Sequence, residues 1–361
     1  MREKKRMGWQ VVWAITRKDV VDAIRSKTIQ GLMLGILTMM LAGRALPMML
    51  GLSEDKTLVV YDRGKSRTIL QLRKQDHARL GRVGSQAELE EVLGTAADVQ
   101  LGLDLPADFD QAVADGRPLE LTAYAVHWAK QAEVDEQRLF FERALSEVAG
   151  QPVALTLAQQ RVYPPPGGEG FSSLATGVIV LVTLVTGIAL VPHLIGDERQ
   201  TRTIDALLIS PASIGQIVTA KALAGSVYCL VVAVVAIAFN AKHFVHLGVA
   251  AATVVGATVF AVGVGLVLGS LFELPQNMNA VVGLVLAVLL VPVYLAGRPV
   301  LPPLLRAIMA YVPSAALNAT LAMSLARTVP WAALWPKLGS VLAFSAVVYA
   351  VTIWRIRRSD R

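Results

Sequence analysis

From Phe171 to Ile195 the chain runs 25 residues without one Asp, Glu, Lys or Arg. A helix of that length crosses a hydrocarbon core of about 30 Å. Further apolar tracts of span length occupy 217–241, 247–272, 274–297 and 336–354, and one precedes them at 29–52. The last is preceded by Trp331 and Trp335 and closes on Trp354 and Arg355, aromatic residues at both membrane interfaces. The expectation is an α-helical polytopic membrane protein with six transmembrane helices.

Between the first two tracts lies a stretch of different chemistry. Residues 53–170 carry 13 Lys/Arg against 19 Asp/Glu, a net −6, which leaves +13 for the rest of a chain whose formal charge is +7. Short β-branched runs at Thr57–Tyr61, Arg79–Val83, Val99–Leu105, Leu119–Val126 and Ala154–Val162 read as strands. Helical periodicity falls between them at Thr68–Gln75, Gln86–Leu93, Asp108–Ala114 and Lys130–Val148. Such alternation predicts an α/β extracytoplasmic domain, a sheet covered by helices. Tyr163-Pro-Pro-Pro-Gly-Gly168 returns the chain to the membrane as a stiff, then flexible, linker.

Charge also sets the orientation. Residues 1–28 hold eight Lys/Arg, and the tail 355–361 is basic, so both termini are expected to be cytoplasmic, in agreement with an even number of spans. These basic ends are topology signals, and no nucleic-acid partner is expected. Trp9, Val12, Trp13, Val20 and Ile24, interleaved with Arg17, Lys18, Asp19 and Arg25, make 1–28 an interfacial amphipathic elbow helix. Arg44 in the first span is a candidate pathway residue, with snorkelling to the outer surface as the competing reading. Pro299, Pro302, Pro303 and Pro313 break 298–330 into a re-entrant outer helical hairpin.

One short charged stretch lies between spans two and three, on the cytoplasmic side. Asp197 and Glu198 suit a helix N-terminus and Pro211 ends the segment, which predicts a helix over 197–211. Ile204, Leu207 and Leu208 share one face, with Glu198, Arg199 and Arg202 largely away from it. Ser213-Ile-Gly-Gln216 has capping-box form and starts the next helix. Glu198-Arg199, Thr203-Ile-Asp-Ala-Leu-Leu-Ile-Ser-Pro211 and Lys221 in the following helix together resemble the cytoplasmic coupling segment of ATP-binding-cassette permeases of the type-2 exporter class. The order of parts resembles sodium-export-type permeases and the half-modules of subfamily A transporters, with a soluble domain after the first span.

The resemblance implies type-2 exporter permease architecture and a location in the plasma membrane. It further implies docking of the coupling helix on a separate ABC ATPase subunit, which binds the ATP and Mg, and a second permease subunit in a homodimer or heterodimer. The residues it marks for ATPase coupling are Glu198, Arg199, Arg202, Thr203, Asp205, Leu207, Leu208, Ser210 and Pro211. The cargo expected is hydrophobic or amphipathic, a lipid, drug or peptide, since the spans carry almost no charge; sodium is the other option. The competing reading is an ATP-independent membrane scaffold or sensor with an external ligand-binding domain.

Enzyme chemistry finds no constellation. The one Gly-Lys-Ser, Gly64-Lys65-Ser66, lacks the first glycine of a phosphate loop, because Val59 stands there. The five histidines form no His-Glu-x-x-His pattern; His243 and His246 are too few for a closed metal site, and Cys229 is the single cysteine. No cofactor and no metal are expected on this chain. Ala257, Ala261, Gly265 and Gly269, four residues apart, give span four a smooth stripe for close helix packing, within the chain or across a dimer.

Overall fold

The computed structural model describes residues 2–27, 30–31, 33–38, 41, 56–74, 78–95, 99, 101–166, 171–200, 213–271, 275–296 and 302–359. Helix α1 (Arg2–Arg25) opens the chain. The α/β domain follows as β1 (Lys56–Asp62), a 3-10 turn at Ile69–Lys74, β2 (Ala78–Val83), α2 (Gln86–Thr95), β3 (Leu101–Leu105), α3 (Phe109–Ala114), β4 (Leu119–Ala125), α4 (Gln131–Ala149) and β5 (Val153–Leu157).

Five strands form one mixed sheet in the order β2-β1-β3-β4-β5. β2, β1 and β3 run parallel, β4 reverses against β3, and β5 runs parallel to β4. The last residue of β5 therefore lies at the same end of the sheet as the first residue of β1. In β4 the apolar residues alternate: Leu119, Leu121, Ala123 and Ala125 are buried, while Glu120 and Thr122 are exposed. Val134, Phe141 and Leu145 of α4 belong to the same core, and α4 ends on Gly150 at φ 68°, a left-handed cap that glycine adopts without strain. Gly102 lets α2 seat closely on β3, since a Cβ there would meet Leu89 Cδ1 at 2.9 Å. The sequence-predicted strand Ala154–Val162 is shorter in the structure. It stops at Leu157, and Val162 makes an isolated bridge to Val126 beyond the polar turn Gln159–Arg161. Within Thr68–Gln75, read as a helix, the structure has the 3-10 turn Ile69–Lys74, and Gln75 lies outside the described residues.

The membrane part begins with α5 (Phe171–Val185), a π turn at Thr186–Leu190 and α6 (Val191–Gln200). Then come α7 (Ile214–Phe239), α8 (Leu247–Leu271), α9 (Pro275–Leu295), α10 (Pro303–Met309), α11 (Pro313–Met323) and α12 (Trp331–Ser359). Four helical stretches among the described residues are long and apolar enough to cross a membrane: Ala175–Ile195, Gly215–Phe239, Leu247–Leu271 and Trp331–Arg355. α10 and α11 meet at 81° and count as a fifth only if taken as one bent span. The described residues thus give four to five candidate spans where the sequence suggests six. Tract 29–52 lies mostly outside them, and Ala280–Leu295 of α9 is apolar but shorter.

α8 is the centre of the bundle, touching α5, the π turn, α6, α7, α11 and α12. Its Ala257, Phe260 and Ala261 share a core with Ile179, Val182, Ile188, Leu317 and Val341. Two polar groups inside it reach neighbouring helices: Thr176 Oγ1 donates to Asn318 Oδ1 at 2.7 Å, and Thr253 Oγ1 lies 3.3 Å from Thr320 Oγ1.

α7 has 26 residues, about 39 Å at 1.5 Å per residue, and its two ends meet different partners. Beyond its Phe239 end sits the α/β domain. There His127 Nε2 is 3.1 Å from the His243 carbonyl and the Lys242 ammonium lies 4.7 Å from the Trp128 ring centre. Arg327 also donates to Gln160 at 3.0 Å. At the Ile214 end lies α1, and Arg355 of α12 donates to the Ser270 carbonyl of α8 at this same side of the bundle.

Candidate functional site

The site to be built is the junction between α6 and α7, where the sequence places the coupling residues. Residues 201–212 fall outside the described residues, and with them Arg202, Thr203, Asp205, Leu207, Leu208, Ser210 and Pro211. Arg44 lies outside as well. Glu198 and Arg199 are in the last turn of α6. This corrects one expectation: no new helix opens at Asp197. The helix that carries the span runs on through Gln200, so Asp197 and Glu198 end a helix begun at Val191. No proline or capping residue stands between Leu194 and Asp197 to interrupt it, and Gly196 alone lowers helix propensity without ending the helix.

The descent into that junction is set by the π turn. Pro192 has no N–H, and its ring crowds the carbonyl four residues back, at Ile188. Widening the helix at Thr186–Leu190 relieves that conflict before α6 continues. Gly187 in the turn permits close approach to α8: a Cβ on it would lie 2.6 Å from Ala261 Cβ and 2.9 Å from the Ala261 carbonyl carbon. The smooth stripe of α8 lies against this same rod. A Cβ on Gly265 would collide with the Gly187 carbonyl oxygen and come within 2.8 Å of Val191 Cβ. On Gly269 it would reach Pro192 Cα at 3.1 Å and Ile195 Cδ1 at 2.7 Å. Ala257 and Ala261 are buried higher on α8. The stripe's neighbour is thus a helix of the same chain.

On the far side of the segment, Ser213 caps α7. Its backbone N–H donates to Gln216 Oε1 at 2.7 Å, and its hydroxyl accepts from the Gln216 N–H at 3.4 Å, the reciprocal pair anticipated from Ser-x-x-Gln. Two turns later comes Lys221, 4% exposed. Its ammonium donates to the Leu194 carbonyl at 2.8 Å and pairs with Asp19 Oδ2 of α1 at 3.5 Å. Both side chains are 5% exposed. Removing one partner of such a pair typically costs about 3–5 kcal/mol, because the other charge stays buried.

Around this pair α1 is pinned to α7. The Tyr228 hydroxyl donates to the Val20 carbonyl at 2.5 Å, and Thr16 Oγ1, which bonds the Val12 carbonyl of its own helix at 2.8 Å, lies 3.2 Å from the Ala220 carbonyl. Val12, Thr16 and Asp19 are buried, whereas Trp9, Trp13 and Ile24 are exposed. The elbow helix therefore has a packed, partly polar face besides its exposed apolar one. Sequence reasoning places Asp19 among the surface charges and takes Lys221 only as part of a motif. The available signal is a lone Lys inside an apolar span.

The remaining chemistry-bearing residues have structural partners. At Gly64-Lys65-Ser66, the Gly64 and Ser66 N–H groups donate to Asp62 Oδ1, each at 3.1 Å. The Arg67 N–H donates to Asp110 Oδ2 at 2.8 Å and the Ser66 hydroxyl to Asp110 Oδ1. The loop's donors are thus engaged by the chain's own carboxylates. Burial alone would raise the Asp110 pKa, but the bonds from Ser66, Arg67 and Thr68 together hold it below the usual carboxylate value. His246 Nε2 is 3.2 Å from the Arg327 carbonyl, and His243 lies in a 3-10 turn. Among the described residues no group of three or more His, Cys, Asp or Glu could hold a metal ion.

A comparison with curated proteins finds no match. The family model described as ABC-2 family transporter protein matches residues 32–354, which takes in the α/β domain, the junction and nearly all of α12. ABC-2 permeases generally pair with an ABC ATPase subunit. The multi-pass bundle, the inserted α/β domain and this match agree: the chain belongs to the ABC-2 family transporter proteins, as a membrane permease component that has no ATPase activity itself.

Proposed function

We propose that this permease works as an exporter subunit in which the segment 197–211 is the element that meets the ATPase. The observation that carries the reading is the anchoring of both flanks. α6 arrives held against α8 by glycine contacts, and α7 leaves through a capping box and the Lys221 bonds. A push on residues between two such anchors reaches the spans instead of being absorbed by slack.

In this reading Glu198, Arg199 and Arg202 make charge-assisted contacts with the ATPase. Leu207 and Leu208 fill an apolar groove or brace the helix, Pro211 fixes the exit angle, and Thr203, Asp205 and Ser210 complete the docking surface. Two permease subunits, alike or different, line the path. ATP and Mg bind the partner ATPase. Both termini and the segment face the cytoplasm of a plasma-membrane protein, with the α/β domain outside. Support for this comes from the basic ends and from the position of the domain at the opposite end of α7 from α1. α10 and α11 form the outer re-entrant hairpin, and tract 29–52 and α9 complete six spans. The domain after the first span favours a sodium-export-like or subfamily A-like member. The apolar spans favour a hydrophobic or amphipathic cargo over sodium.

The test is purification of the tagged chain from its own membranes in mild detergent, with an ATPase assay of the product. Wild type is expected to bring down an ATPase whose activity responds to lipid. The Glu198→Ala, Arg202→Ala double variant should lose the ATPase, or lose at least tenfold of that response, while eluting as a folded species. Purification of wild type without any ATPase sinks the reading and returns attention to the α/β domain as a sensor.

A further inference from the structure

Lys221 joins three elements at one atom. Its Nζ lies 2.8 Å from the Leu194 carbonyl of α6 and 3.5 Å from the Asp19 carboxylate of α1, and it is itself part of α7. The Leu194 carbonyl is three residues before Asp197, and Lys221 is eight residues after Ser213. One ammonium therefore bridges the two ends of the connecting segment and fastens both to the elbow helix. Thr16 beside the Ala220 carbonyl and Tyr228 on the Val20 carbonyl flank the same contact.

A buried charge pair is a poor way to gain stability, since hydrophobic residues of the same volume often do as well. It is a good way to fix register, because neither charge tolerates separation from the other in a dry site. An aliphatic contact at 221 would leave α1 held to α7 by packing and the Tyr228 bond, which set its register less strictly than the ion pair does.

We propose that Lys221 is a positioning residue that makes α1, the end of α6 and the start of α7 one rigid unit. Displacement of the connecting segment is then delivered to the elbow helix together with the two spans. Asp19 is its partner on the elbow and the Leu194 carbonyl its partner on α6. This rests on the reading of 197–211 as the ATPase-facing element, and it adds a destination for the movement that starts there.

The test is hydrogen–deuterium exchange on the complex with its ATPase, with and without trapping by Mg-ATP and orthovanadate. In wild type, trapping should change exchange at 191–200, at 213–220 and at 9–25 of the elbow helix. In Lys221→Met the change at 9–25 should be lost while those at 191–200 and 213–220 persist. Asp19→Asn, which leaves Lys221 on Leu194, should give the same loss should Lys221→Met fail to fold. Lys221→Arg should keep the response. A disulfide between Thr16→Cys and Ala220→Cys, placed in a Lys221→Met, Cys229→Ala background, should restore it, since a covalent tie replaces the ionic one.

An elbow helix that responds fully in Lys221→Met, or not at all in wild type, overturns the proposal, as does a formed disulfide that restores nothing. A wild-type chain that binds no ATPase overturns the coupling reading and this inference with it. A bound ATPase with an unaltered elbow response in the variants overturns this inference alone.

Discussion

Gly265 is a residue whose value lies in what it lacks. The α8 backbone at that position touches the Gly187 carbonyl oxygen and Val191 of the rod opposite, so one methyl group has nowhere to go. Gly265→Ala should destabilise the bundle by about 1–3 kcal/mol, the usual cost of overpacking a core. The control is in the same fold: a methyl group placed on Gly248, Gly283 or Gly339 has nothing within 4 Å. Alanine at those positions, all within helices, should not destabilise and should gain up to about 1 kcal/mol of helix propensity. Thermal unfolding in detergent reads both, and equal shifts at Gly265 and Gly283 would contradict the packing argument. The stripe itself is visible in the sequence as four small residues at fixed spacing. Its partner is not, because nothing in the sequence of α8 says which helix it faces.

At the scale of the element, helix ends and helix irregularities decide how a force is passed along. Ser213→Ala removes the hydroxyl half of the capping box and should cost about 1 kcal/mol, felt as faster amide exchange in the first turn of α7 and unchanged exchange near Phe239. Uniform loosening of the whole helix would contradict a local cap. Such caps are legible from sequence because they are contiguous, and so are the strands of the α/β domain: β1 is a short continuous apolar run buried on both faces, and β4 and β5 alternate over one buried face. Where Gln159 and Gln160 interrupt that alternation, the residue pattern suggests a longer strand than the one that forms. The π turn is hidden for another reason: hydropathy counts apolar residues and is blind to the hydrogen-bond register that Pro192 and Gly187 impose. The Asp19–Lys221 contact is hidden because it joins residues far apart in the chain: the lone Lys in an apolar span asks for a partner, but Asp19 also fits a surface position.

At the scale of the molecule, the seat of the α/β domain on the bundle turns on His127. Its ring stacks on Tyr163 at 4.7 Å and its Nε2 meets the His243 carbonyl. Burial pushes its pKa below the ordinary imidazole value, with the bonds to His243 and Val162 offsetting this in part. The freed or unfolded domain then takes up a proton before the seated one does. Stability of the seated form is complete above the ordinary value, about 6.5, and falls as the pH drops below it, levelling off once the lowered value is passed. A His127→Phe variant, which keeps the stack, should abolish that slope in the unfolding midpoint between about pH 5 and 7; an unchanged slope would place the proton elsewhere. The reversal of β4 against β3 bears on this domain in another way. Because the chain leaves the sheet at the end where it arrived, the domain is grafted onto the bundle as a cutting is onto a stem. A different module could be spliced in at the same two points without rethreading a single helix of the bundle, leaving the contact of α1 with α7 at the far end untouched.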